Sequence, residues 1–546
     1  MQSYLRSGLM VAAAFSVLAL LATPRGQAQS ADEIIKRATE YLASKDPEKR
    51  ATGAEAIAAA NTKKASELIC KALLAEKDND AAIRIGAAFS KLNSEESLAE
   101  LTSTIPNWTR PEQIFAAYYA LTGIARGRTA GGDALVKACV LGSKDKDFNL
   151  KAAGLEAIGE AGRKELAPLL AELLKTWNKD WDEKGAIVGL CAVFAAPKIV
   201  HVTESAKDVR DSVMRGLINV LVNAKNDRLV YFAVKALADI TGEKMYSEPK
   251  FWEWWISVGG YKAAPDRPDG ATTAERKTPR FFDMATVGKR IVFCIDVSGS
   301  MAGEVAMPPA PKKEPAPEKK KDGPVTGEKG KKVGGEKGEE PKSEPDPPDY
   351  SKVKIKLDLA KVELIYALRQ LDSEFLFNVA IYDTGHSLLM PSTKNLVPAT
   401  EENKNRFIKA VEKLAPLQLT NIHGGLMDSF SLTERGFLDW KKIDPAWQED
   451  CIQFGAETIF FLTDGSPTIS DDTTNSGDVG RTPQVPVGNG KMCKPENIIA
   501  EVKRVNTFRK AVIHTVGIGP HDGRLMNELA RISGGTYTDR TGVAKR

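Results

Sequence analysis

The chain has 546 residues, too many for one compact domain at roughly 150 residues each. Hydrophobic residues make up 42% and charged residues 27%, which is enough apolar material for sizeable cores. Lys plus Arg number 76 against 72 Asp plus Glu, a net charge of +4 that excludes a strongly basic nucleic-acid binder and an acidic solvating protein.

Arg6, an apolar run over residues 9–22 broken only by Ser16, and Gly26-Gln27-Ala28 have the pattern of a signal peptide over residues 1–28. The run is shorter than the about twenty residues that a membrane span needs. The expectation is an exported protein in the periplasm, at the cell surface or secreted. Six cysteines are too few for a disulfide framework in so long a chain. Cys70, Cys139, Cys191 and Cys294 sit in apolar runs and read as buried thiols. Cys451 and Cys493 lie in polar surroundings, and export would permit a bridge between them, but spacing does not decide whether it forms. Five scattered histidines and the lack of a CxxC give zinc no support.

Residues 31–262 read as helix after helix. Apolar residues recur at helical spacing over 31–43, 65–76, 81–92, 113–125, 150–162, 164–177 and 209–224, with short polar breaks between. Neighbours pair into hairpins with a period of roughly 35–45 residues, as in stacked two-helix repeats, where each hairpin buries its apolar face only against the next. The stretches beginning at Leu150 and Leu229 resemble the second helix of HEAT-type repeats. Phe251, Trp252, Trp254 and Trp255 then read as a cap over the last repeat, in preference to a sugar-stacking platform. Residues 263–281 form a polar linker, so few contacts are expected between the helical part and the domain over 282–546, and each should fold alone.

The second domain carries the chemistry. Residues 290–296 are a buried strand that runs into Asp296-Val-Ser298-Gly-Ser300, where alternation and a tight glycine turn converge one carboxylate and two hydroxyls. Thr420-Asn-Ile-His-Gly-Gly-Leu precedes a helix and offers a third hydroxyl, and a second buried strand over 458–463 ends at Asp464. Hard oxygens of low net charge suit Mg²⁺. Ser298 and Ser300 lack the Gly-x-Ser-x-Gly setting of a nucleophile, and His423 reads as an incidental loop residue. Further along, 504–510 reads as a helix, 511–519 as a strand and 525–532 as a helix, with Gly534-Gly-Thr-Tyr opening a last short strand.

Asp-x-Ser-x-Ser after a first strand, a downstream Thr-Asn-Ile-x-x-Gly-Leu and a strand ending Leu-Thr-Asp-Gly together resemble the von Willebrand factor type A domain over roughly residues 285–542. The resemblance implies an α/β doubly wound, Rossmann-like fold beside the all-α HEAT-like solenoid. It also implies a metal-ion-dependent adhesion site of Asp296, Ser298, Ser300, Thr420 and Asp464. Mg²⁺ or Mn²⁺ would be held there, and a protein partner would present an Asp or Glu carboxylate to it. The chain departs from the family in an insertion over 302–350 with ten Pro, seven Gly, ten Lys and eleven Asp plus Glu. With almost nothing to bury, such a segment is expected to stay disordered. The leading expectation is a non-enzymatic interaction protein with neither a nucleic-acid partner nor a membrane span. The alternatives are a metal-bearing accessory subunit of a larger enzymatic machine and an inert scaffold.

Overall fold

The computed structural model describes residues 30–142, 147–176, 179–183, 185–260, 278–305, 346–474 and 487–540. The expected signal peptide, most of the 263–281 linker and residues 306–345 of the insertion lie outside the described residues.

The amino-terminal part is a two-layer stack of helices. Pro47–Ala60, Asn79–Ala88, Ile114–Arg126, Phe148–Ala161, Ala186–Ile199 and Asp227–Thr241 pack on one another in succession as one layer. Lys63–Ala75, Glu95–Thr104, Ala130–Leu141, Ala167–Lys175, Lys207–Asn223 and Pro249–Ser257 make the second. The polar breaks supply the helix starts. Side chains of Asp46, Thr62, Asp78, Ser94 and Thr129 each accept a backbone N–H of the first turn, a cap worth about 1 kcal/mol. Small residues let the inner layer close up: a side-chain carbon on Gly123 would lie 2.0 Å from the carbonyl oxygen of Gly86 on the neighbouring helix. Phe251, Trp252 and Trp255 are buried, and Trp252 Nε1 donates to Tyr246 O at 2.8 Å, so these rings close the stack as expected of a cap.

The carboxyl-terminal part is a sheet with helices on both faces. Its strands are β1 (Arg290–Asp296), β2 (Leu376–Tyr382), β3 (His386–Leu388), β4 (Val397–Pro398), β5 (Thr458–Thr463), β6 (Val512–Ile518) and β7 (Tyr537–Arg540). The order is β7-β6-β5-β1-β2-β3, with β4 also pairing β2. From β7 to β2 every pairing is parallel, while β3 and β4 join antiparallel. The inner strands β1, β5 and β6 are apolar and buried almost throughout, as strands covered on both faces must be.

Several expectations need correction. The helix expected at 504–510 is instead Pro495–Val505, opened by a proline in its first turn, and the chain then turns so that Lys510 takes a left-handed φ of 53°. The linker reading is too long at its carboxyl end, because Phe281 is fully buried edge-on to Phe293 and Phe460. All six cysteines are free and buried, so Cys451 and Cys493 form no bridge. The two ends of the insertion are clipped together: Glu304 bridges Ile355, and Lys356 N donates to Gly303 O at 2.9 Å.

The expectation of few contacts between the two parts does not hold. Phe508 packs edge-on to Phe115 and Tyr118, and Tyr231 Oη donates to Gly534 O at 2.8 Å. Arg228 Nη1 donates to Arg509 O at 2.6 Å while facing Glu457. Lys510 Nζ lies 2.6 Å from Glu156 Oε1, both side chains being buried, and sits over the Phe194 ring. Burial would raise the Glu156 carboxyl, but Lys510 and Lys198 outweigh it and hold the group below its ordinary range. Glu457, Phe508, Arg509 and Lys510 immediately precede β5 and β6, so the solenoid grips the amino edge of the sheet. Composition of the connecting segment carries no information about the surfaces at either side of it.

Lys510→Met strands a buried carboxylate and should destabilise the full chain by about 3–5 kcal/mol in urea unfolding. Adding Glu156→Gln should recover at least ~1 kcal/mol of that loss, because the two groups share one interaction. Strictly additive losses would show that the pair is not coupled.

Candidate metal site

β1 and β5 are neighbours and parallel, with Ile295 opposite Leu462. Asp296 ends one strand and Asp464 follows the other, so register alone puts two carboxylates side by side at the carboxyl edge. This is the edge where open α/β sheets bind ligands.

The surrounding loops close on this pair. Asp296 is 0% and Asp464 1% exposed. Ser298 N donates to Asp296 Oδ1 at 2.8 Å, and Thr463 Oγ1 donates to Oδ2 at 2.7 Å. The Ser298 and Ser300 hydroxyls stand 3.0 Å apart, and Ser300 Oγ donates to Asp464 Oδ1 at 2.6 Å. Gly299 N donates to Gln418 O at 2.8 Å, which ties this turn to the loop that carries Thr420. Thr420 N in turn donates to Thr468 Oγ1 at 2.8 Å. Gly465 borders both remaining hydroxyls: a side-chain carbon there would lie 3.8 Å from Ser300 Oγ and 3.9 Å from Thr420 Oγ1. All five residues singled out in the sequence therefore meet at one place.

Among the described residues no three His, Cys, Asp or Glu side chains gather as a metal-binding group. A cation here would draw most of its protein ligands from hydroxyls, and three hydroxyls with two carboxylates are hard oxygen donors that fit Mg²⁺ or Mn²⁺. The carboxylates also call for positive charge. Burial, and next the neighbouring Asp464, push the Asp296 carboxyl up to about 7.

Two groups around the site were not singled out in the sequence. Lys356, first residue of the helix Lys356–Gln370, places Nζ 2.8 Å from Asp464 Oδ2. No local motif marks it, since the insertion separates it from the Asp-x-Ser-x-Ser turn. Beside Thr420, Asn421 Nδ2 donates to Asp471 Oδ1 at 2.8 Å. Asp471 and Asp428 flank His386 at 3.1 and 2.7 Å. Burial disfavours the His386 imidazolium, but the hydrogen bonds it donates to these two carboxylates raise it to about 9. His423 is buried edge-on to Trp440, and burial lowers it, so its ring is a packing element here.

Because the folded chain holds the Asp296 proton more tightly than the unfolded chain does, metal-free stability should fall as pH rises from about 4 to about 7. Asp296→Asn should flatten that fall and, at pH 8 in chelator, be more stable than the wild type by about 1–2 kcal/mol. A loss of stability under those conditions would show that the site is at ease with both charges.

The sequence profile of the von Willebrand factor type A domain matches residues 349–539. The match begins behind the insertion, so β1 and its Asp-x-Ser-x-Ser turn lie outside it and are joined to the domain by their pairing with β2 and β5. A solved structure described as von Willebrand factor type A from Catenulispora acidiphila is similar at 16% identity and a TM-score of 0.26. That likeness covers 47% of this chain and 39% of that one, and is too distant to carry the assignment. No curated protein matches the chain. On the profile match and the sheet order, the chain carries a von Willebrand factor type A domain, preceded by an array of stacked helical hairpins.

Proposed function

We propose that this protein binds a protein partner through a divalent-metal-dependent adhesion site at the carboxyl edge of its sheet. A von Willebrand factor type A domain supports a role in protein interaction generally. The observation that carries the finer reading is the convergence of Ser298, Ser300 and Thr420 on the buried pair Asp296 and Asp464. When bound, Mg²⁺ or Mn²⁺ would supply an open, electrophilic position for an Asp or Glu carboxylate of the partner. Ser298, Ser300 and Thr420 would hold the ion without neutralising it, and Asp296 and Asp464 would fix its place from below.

The solenoid is held chiefly at the amino edge of the sheet, and its Asp80 also meets Lys491, in the segment beyond Asp464, at 3.2 Å. The proposal is a non-enzymatic one, and among the described residues Ser298 and Ser300 hydrogen-bond each other and Asp464, with no histidine paired to either. Export of the mature chain remains part of the proposal on the strength of residues 1–28. No helix among the described residues is long and apolar enough to cross a membrane.

Calorimetry on the full chain should show saturable Mg²⁺ binding at millimolar concentration or tighter. Asp296→Ala should abolish it with the fold kept, and Thr420→Ala should weaken it by about tenfold or less, because only a neutral ligand is lost. A folded wild type with no saturable Mg²⁺ or Mn²⁺ binding would overturn the proposal in favour of the scaffold.

A further inference from the structure

Lys356 sits where its charge is poorly served by its own helix. It is the first residue of Lys356–Gln370, next to the positive end of the helix dipole, where a cation is disfavoured. Its side chain is nonetheless only 11% exposed, and its ammonium lies 2.8 Å from Asp464 Oδ2, on a carboxylate that is itself fully covered. The other oxygen of Asp464 is the one that accepts from Ser300.

The path of the lysine is built, because two glycines from separate loops make room for it. A side-chain carbon on Gly519, which takes a left-handed φ of 67°, would lie 2.8 Å from Lys356 Cε and 3.0 Å from Nζ. One on Gly303 would lie 3.2 Å from Cε. The backbone N–H of Lys356 is held as well, by Gly303 O at 2.9 Å. Gly303 stands three residues beyond Ser300, so the lysine, the serine turn and Asp464 are parts of one assembly.

We propose that Lys356 is the resident counter-ion of the metal site: its ammonium neutralises Asp464 in the metal-free protein and competes with the divalent ion for that carboxylate. The inference rests on the metal-site reading above and names the residue that sets its affinity. A buried carboxylate pair without a cation is costly, so the lysine lets the site fold empty. The same contact must be weakened or released for a divalent ion to use Asp464 fully. By linkage, whatever the lysine contributes to the empty site is subtracted from metal affinity. The site would then respond to the concentration of free metal instead of holding an ion permanently.

The test is Mg²⁺ calorimetry on the full chain for the wild type, Lys356→Gln, Lys356→Met and Lys356→Arg. Thermal unfolding in chelator and in saturating Mg²⁺ accompanies each titration. The neutral variants should bind Mg²⁺ at least ~10-fold more tightly than the wild type, and Lys356→Arg should not. In chelator Lys356→Gln should melt below the wild type, and saturating Mg²⁺ should close that gap. If Lys356→Met does not fold in chelator, the glutamine variant, which keeps most of the stem, carries the comparison. Wild-type binding with unchanged or weaker affinity in the neutral variants overturns this inference and leaves the metal site standing. No binding in any variant overturns both. Binding in the neutral variants alone supports the competition and shows that the wild-type lysine holds the site against Mg²⁺.

Discussion

Two buried carboxylates at the ends of adjacent parallel strands are the constraint around which the upper edge of this domain is organised. Neither Asp296 nor Asp464 reaches water, and each lies within the field of the other, which is why the Asp296 carboxyl is pushed up to about 7. Every neighbouring element answers that charge. The Ser298 N–H and the Thr463 hydroxyl donate to one carboxylate, and the Ser300 hydroxyl and the Lys356 ammonium to the other. The single lysine pairs only one of the two carboxylates, and the hydroxyls around them are hard oxygen donors. This geometry is what supports the proposed cation site of modest net charge.

The opposite edge of the sheet obeys the same rule with a different outcome. Glu156, Glu457, Arg228 and Lys510 are buried between the solenoid and the domain, and there each charge meets its opposite within the chain. Those pairs fix how the two parts sit, because a buried ion pair tolerates little change in geometry. One edge is thus closed by internal pairing, and the other is left with charge to offer. The helical array is paired to the amino edge of the sheet, while the proposed metal site lies at its carboxyl edge.

Much of this was legible in the sequence, for local reasons. β1 and β5 are continuous apolar runs ending in aspartate, so both their extent and their chemistry lie within a few residues. The Ala186–Ile199 helix was harder, because a helix that is apolar on all sides shows no face and only its burial between neighbours explains it. The Pro495–Val505 helix is hard to read from the sequence because its polar first turn hides the apolar stripe of Ile498, Val502 and Val505. Lys356 and Glu156 could not be read at all. Their partners, Asp464 and Lys510, lie far away in sequence, and tertiary contact alone shows that either lysine is anything but a solvated charge.

Whether Asp296, Ser298, Ser300, Thr420 and Asp464 form a divalent-cation site is decided by anomalous scattering from crystals of the full chain grown in Mn²⁺. One strong anomalous peak is expected at the carboxyl edge of the sheet, about 2.1 Å from the serine hydroxyl oxygens, with the Lys356 ammonium withdrawn from Asp464. An empty site in millimolar Mn²⁺, with Lys356 still on Asp464 and the five residues in place, would contradict such a site.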